Sequence, residues 1–205
     1  MAGNKRPGKR RQRIIWQRFL PFLGICFLLI GGIIYGGIRM LLPVADDAMK
    51  MMYPRGYQEL VEQYSAEYDM DENFIYAVCK IESNFQPNAV SKVGARGLMQ
   101  MMEPAFDWVQ YRMKDDSAVT YSQMNEPEVG IKYGTCMLSL LKQEMGDDER
   151  IILASYHAGM NAVKGWLENP EYSSDGETLD VIPFSDTNWY VNKVLETKEI
   201  YEKLY

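Results

Sequence analysis

Histidine occurs once in these 205 residues, at His157, and cysteine three times, at Cys26, Cys79 and Cys136. A single histidine excludes any site built from several imidazoles and leaves few routes to a serine–histidine–aspartate triad. Three cysteines are an odd number without metal-ligand spacing, so neither a zinc site nor a disulfide framework is predicted. A Cys79–Cys136 pairing stays open. No metal or other cofactor is expected. Strand signals are missing too: no convincing run of alternating apolar and polar residues occurs, and there is no internal repeat. Acidic residues are absent before Asp46, whereas eight basic residues precede it. After that point 14 basic residues face 28 acidic ones, a net charge of −14. A domain of that sign repels phosphate backbones, so nucleic acid is not expected as a partner.

What is present begins with Phe19 to Ile38, twenty residues without charge between Arg18 and Arg39. About twenty such residues suffice to span a bilayer. Basic residues before the run and Asp46 and Asp47 after it orient the N-terminus to the cytoplasm. The expectation is a single-pass protein of the cell membrane. Residues 1–18 read as a basic cytoplasmic tail, 19–42 as a transmembrane anchor and 43–52 as a juxtamembrane linker. Residues 53–205 read as a folded domain outside the cytoplasm. A cleavable signal peptide competes with the anchor, but its apolar region would be shorter, and no small-x-small cleavage site stands out near Leu41–Ala45. Phospholipid head groups account for the basic tail.

The domain reads as all-α. Helices are predicted over Gly56–Glu67, over Glu72–Ser83 with Asp71 as N-cap, and within Gly97–Met113, begun or interrupted near Pro104. Pro127 suits the first position of a helix running to about Met145, with Met137, Leu138 and Leu141 on one face. Glu149–Ala158 and Ala162–Leu167 are short helices parted at Gly159. A polar loop over Asn169–Asp180 precedes a closing helix from about Asn188 to Leu204, and a short hairpin within 170–184 is conceivable.

Glu82 is the informative position. Ile75, Val78, Cys79 and Glu82 fall at i, i+3, i+4 and i+7, so the carboxyl shares the apolar face of its helix. Partial desolvation there favours the protonated form and raises the pKa, as a general acid near neutrality requires. Spacing alone equally allows a helix-end glutamate that swings into solvent. The next segment bears on the choice. Gly94, Ala95 and Gly97 make a tight loop that lets backbone approach backbone or ligand, and Leu98, Met99 and Gln100 are expected to begin the next helix.

Four blocks in order resemble one family. They are Glu82–Ser83 with Asn88, Ala89 and Ser91; Gly94–Ala95 with Gly97–Leu98–Met99–Gln100; Ala154–Ser155–Tyr156–His157–Ala158–Gly159 with Val163 and Trp166; and Ile182–Pro183–Phe184 with Asp186–Thr187 and Tyr190–Val191. Together they are similar to the catalytic domain of the soluble lytic transglycosylases, related in fold to goose-type lysozyme. The resemblance covers Tyr53 to Tyr201. The departures are His157 for a usual Asn, Asp186 for Glu, Asn188 for a basic residue, Ala105 for Thr and Gly130 for Asn.

The resemblance implies a lysozyme-like helical domain acting on peptidoglycan glycan strands. Glu82 would protonate the glycosidic oxygen between N-acetylmuramic acid and N-acetylglucosamine, then take the proton of the muramic 6-hydroxyl to close a 1,6-anhydro ring. The substrate acetamido group would stabilise the intermediate centre, a variant of the two-carboxylate scheme. Ser83, Gln100 and the Met99 backbone would line the cleft. Tyr156 would hydrogen-bond Glu82 or the sugar, and His157, Asp186 and Tyr190 would complete the substrate site. Met101 and Met102 read as packing and groove lining. Two other readings remain: a muramidase, with Asp186, Glu103 or Asp107 as second carboxylate, and an inactive glycan-binding scaffold. No pattern specifies a protein partner.

Overall fold

The computed structural model describes residues 10–114 and 118–205; within the first helix, the side chains of residues 10–20, 22, 38, 41, 42 and 45 fall outside that description. The chain divides into two compact units, Met1–Met52 and Tyr53–Tyr205.

The first unit is one helix, α1 (Arg10–Met52), with Pro21 and Pro43 inside it. Its described apolar side chains are largely exposed; Phe27 and Leu28 are each 78% accessible. Among the described residues, no helix is long and apolar enough to cross a membrane. The expected anchor, 19–42, lies on α1, and several of its side chains are outside the described set. The basic tail, 1–18, is outside it too, apart from the helical backbone from Arg10 onward.

The second unit is helical throughout, and local signals account for most of its boundaries. Its helices are α2 (Gln58–Tyr68), α3 (Glu72–Ser83), α4 (Glu103–Met113), α5 (Pro127–Met145), α6 (Glu149–Ala158), α7 (Met160–Leu167) and α8 (Ser185–Leu204), with a short 3-10 helix at Tyr121–Asn125. Asp71 caps α3 by accepting the Phe74 N–H at 2.8 Å, and Asp148 caps α6 by accepting the Arg150 N–H at 2.7 Å. Prolines sit in the first turns of α4 and α5, where their missing N–H costs nothing.

Phe74 through Cys79 are buried without interruption along α3, which is therefore wrapped on all sides rather than amphipathic. It packs on α2 and α8; α5 packs on α2, α4 and α6; α6 packs on α7 and α8. Each fully buried large apolar side chain of this core contributes about 1.5–3 kcal/mol. The C-terminal end of α3 and the N-terminal end of α8 thus meet the end of α6.

Two expectations are corrected. Gly97–Gln100 do not begin a helix: Gly97 and Gln100 have φ of 79° and 46°, and Arg96 exchanges backbone hydrogen bonds with Met101 instead. Helix α4 starts only at Glu103. The region 170–184 forms no hairpin; Asp175 takes the N–H groups of Glu177 and Thr178, and Asp180 that of Ser174. Side-chain oxygens there occupy the amides that a ladder would use. Among the described residues only isolated bridges occur, at Val90–Arg96 and Arg96–Met101.

Candidate functional site

Glu82 is the next-to-last residue of α3, and the site is made by what happens just after it. Asn84 ends the helix in the left-handed region, its N–H turned back to the Cys79 and Lys80 carbonyls. Phe85 follows with φ of 60°. Two consecutive left-handed residues reverse the chain and send residues 86–101 back past the helix end. Ser83 Oγ then donates to the Leu98 carbonyl at 2.8 Å, and Gln100 Nε2 donates to the carbonyls of Ala89 and Gly97 at 3.1 and 2.9 Å. The Tyr121 hydroxyl donates to the Gly94 carbonyl at 2.6 Å. Gly97 is obligatory: its φ is positive, and a Cβ would collide with the Met124 carbonyl. Gly134 on α5 is needed differently, because the Met99 side chain occupies the space a Cβ would take.

From α6, the Tyr156 hydroxyl donates to the Met99 carbonyl at 2.6 Å. Of the two partners expected for this hydroxyl, Glu82 or the sugar, Glu82 is not bonded to it; the tie runs to the loop. His157 Nδ1 lies 3.1 Å from Thr187 Oγ1 of α8, and its ring stacks on Tyr190, centroids 4.6 Å apart. The result is a cleft of about 320 Å³. Its lining combines polar Glu82, Ser91, Gln100, Tyr156 and His157 with apolar Val93, Ala95, Met101, Met102, Ala105 and Met137.

Burial pushes the Glu82 carboxyl up to about 7, while the neighbouring Tyr190 hydroxyl works against the shift. That hydroxyl is close enough to favour the carboxylate, but it falls outside hydrogen-bond geometry and has no partner among the described residues. Burial first, and the Glu82 charge second, keep the Tyr156 and Tyr190 hydroxyls protonated well past their ordinary range. A carboxylic acid half-titrated near neutrality can give a proton and take one back.

Of the sequence-predicted residues, Glu82, Gln100, Tyr156 and His157 line the cleft. Ser83, Met99 and Tyr190 are buried and are not part of the lining. Asp186 is exposed on the first turn of α8, is not part of the lining, and accepts the N–H of the adjacent Thr187 at 2.9 Å. Glu103 and Asp107 are exposed on α4. Among the described residues, Glu82 is the only carboxylate in the lining. Met137, Val93 and Ala105 were not singled out as site residues; Met137 shares the apolar face of α5 with core residues, and nothing in that pattern separates a wall from a core. Cys79 and Cys136 are free and buried, which removes the possible bridge. Among the described residues no group of three or more potential ligands could hold a metal.

Residues 59–178 match the family model described as the transglycosylase SLT domain. The chain is 33% identical over 153 residues to the soluble lytic murein transglycosylase of Salmonella typhimurium, covering 73% of this chain and 23% of that one. It is 33% identical over 115 residues to the membrane-bound lytic murein transglycosylase C of Photorhabdus laumondii, covering 52% of this chain and 32% of that one. Its fold is similar to the crystal structure of the 70 kDa soluble lytic transglycosylase of Escherichia coli, with a TM-score of 0.68 and 27% identity over 76% of this chain and 25% of the other. The chain therefore spans about a quarter of the length of the soluble relatives it matches.

Proposed function

The chain belongs to the transglycosylase SLT domain family, and from that premise we propose that it is a peptidoglycan lytic transglycosylase with Glu82 as its acid and base. One observation carries this reading: among the described residues Glu82 is the only carboxylate lining the cleft, and burial holds its pKa near 7. Protonated Glu82 delivers its proton to the oxygen linking N-acetylmuramic acid to N-acetylglucosamine. The acetamido group of the muramic sugar supports the electron-poor carbon. Once that bond has broken and the leaving strand has departed as the alcohol, the Glu82 carboxylate removes the proton of the same sugar's 6-hydroxyl, whose oxygen bonds the anomeric carbon and closes the 1,6-anhydro ring. Such a route needs no second carboxylate, in agreement with the lining. A two-carboxylate hydrolase would place another carboxyl about 5–9.5 Å away, and Asp186, Glu103 and Asp107 are all absent from the cleft wall.

Gln100 and Tyr156 stand where the glycan would lie, and Ser83 and the Met99 carbonyl hold the loop that forms the floor. The decisive test digests purified peptidoglycan with the full-length chain and its Glu82→Gln variant and weighs the products. Ends lighter by one water than hydrolysed ends, without a reducible muramic sugar, are expected from the wild type alone. Reducible ends would reassign the chain to the hydrolases. No release by folded wild type would point to a glycan-binding scaffold.

We further propose that residues 19–42 anchor the chain in the cell membrane with the N-terminus cytoplasmic and the domain outside. The charge-free run Phe19–Ile38, the flanking charge asymmetry and the exposed apolar side chains of α1 support this. A relative named as membrane-bound points the same way. The full chain is then expected to stay in the membrane pellet through high salt and alkaline carbonate, and its appearance in the supernatant would end the proposal.

A further inference from the structure

We propose that His157 is a positioning residue for Glu82: clamped to Thr187, its ring braces the ring of Tyr190 and so holds the Tyr190 hydroxyl beside the Glu82 carboxyl. The argument starts from an unsatisfied group. Tyr190 is 3% accessible, and its hydroxyl has no hydrogen-bond partner among the described residues. A buried hydroxyl in that condition forgoes the free energy of a well-formed hydrogen bond, and the acceptor that acts on it is the Glu82 carboxyl. Its position must be set by contacts to the ring.

The stacked contact on that ring is His157, at 4.6 Å between centroids and 29° between planes. His157 cannot slide along Tyr190, because Nδ1 is fixed 3.1 Å from the hydroxyl of Thr187. Thr187 is itself 2% accessible and sits one turn before Tyr190 on α8. Clamp and braced ring therefore belong to one helix, while the brace comes from α6. Besides burial, the group acting on Glu82 is Tyr190 from α8, while the Glu82 charge in turn raises Tyr156 from α6 and Cys79 from its own helix. Asp186 of α8 acts on His157. Tyr156 is already committed to the Met99 carbonyl, which leaves Tyr190 as the adjustable neighbour of the acid.

The proposal deepens the reading of Glu82 as the acid, but its first test needs no turnover. In the full-length chain carrying carbon-13 at glutamate Cδ, the Glu82 resonance is assigned by its loss in Glu82→Gln and titrated with pH. The Tyr190 hydroxyl favours the carboxylate, so Tyr190→Phe raises the Glu82 midpoint. His157→Ala and Thr187→Val are expected to raise it in the same direction by about half a pH unit, a roughly threefold change in the protonation equilibrium. In the Tyr190→Phe background the same two changes are expected to do nothing. An equal shift in both backgrounds would mean that His157 acts on Glu82 directly, and no shift in either would mean that no brace exists; both overturn the proposal.

If the chain cleaves glycan as proposed, the alkaline limb of kcat moves up with the midpoint while KM stays put. A higher KM with an unmoved midpoint would make His157 a substrate contact and sink the positioning role. A silent wild type with the expected midpoint shifts would remove the transglycosylase reading and leave the brace standing.

Discussion

Helix α3 and the segment that follows it, residues 84–101, build opposite sides of one site by different means. The helix is governed by its own sequence: an aspartate cap, an unbroken apolar stretch and a polar end. The segment after it has almost no regular structure and includes four residues with positive φ that are not glycine or are irreplaceable glycine, namely Asn84, Phe85, Gln100 and Gly97. Left-handed backbone costs most residues on the order of 1–3 kcal/mol and persists only where surroundings enforce it. Here the enforcement is visible in the ties from Ser83, Gln100, Tyr121 and Tyr156 to carbonyls of the segment. The helix supplies Glu82, and the strained segment supplies part of the cleft around it.

The sharpest way to break that pairing is on the helix. Glu82→Gln is expected to abolish glycan cleavage, a loss on the order of 10²–10⁴-fold or more for a positioned proton donor, with the circular-dichroism spectrum unchanged. Because the carboxyl titrates near 7 rather than in the ordinary carboxylate range, the proton-donating form disappears as pH rises, and wild-type rate should fall through that range. The same shift fixes a stability difference. A raised folded-state pKa contributes stability fully below the unfolded value and loses it as pH climbs through the folded one. Glu82→Gln, which carries no charge, should therefore melt higher than the wild type at pH 8 and close to it at pH 4, as scanning calorimetry at the two values would show.

On the other side, Gly97→Ala combines an unfavourable φ with a collision against the Met124 carbonyl. It is expected to cost about 1–3 kcal/mol and to lower activity further than that loss of folded protein explains, read by urea denaturation beside initial rates. Ser83→Ala removes one tie between helix and loop. A loss of about 1 kcal/mol is expected, with a fall in kcat larger than any change in KM, since the floor rather than a sugar contact is altered. Smallest is Asp71→Ala, which removes the α3 cap at the far end of the helix. It should cost about 1 kcal/mol in melting experiments and leave the rate per folded molecule untouched, because Asp71 lies a full helix length from the cleft. A rate effect there would show that the helix is less independent of the loop than its local signals suggest.

Legibility in the sequence follows the same division. The α3 boundaries, Glu72–Ser83, and its cap are readable because capping oxygen and apolar spacing act within a few residues. The placement of α5 by Pro127 is readable for the same reason. The segment Gly97–Gln100 reads as a helix start, since Leu98, Met99 and Gln100 are good helix formers. Local preference loses there to the Arg96–Met101 exchange and to side-chain ties that come from Ser83, fifteen residues before Leu98, and from Tyr156, fifty-seven after Met99. Tyr156 is expected to hydrogen-bond Glu82 or the sugar; in the structure its hydroxyl donates to the Met99 carbonyl while the residue lines the cleft. Met137 passes for core because a cleft wall and a core face have one and the same periodicity.

The sequence by itself determined that this is an all-α domain, where its main helices lie, and that Glu82 sits on an apolar face; these depend on contacts over one or two helical turns. Only the tertiary structure decided that Glu82 is the sole carboxylate among the described residues of its cleft, that its pKa stands near 7, and that the Tyr156 hydroxyl is tied to the Met99 carbonyl while that of Tyr190 acts on Glu82. Desolvation and hydrogen-bond partnership are set by which distant segments pack together, and that packing is not written in the spacing of any one of them.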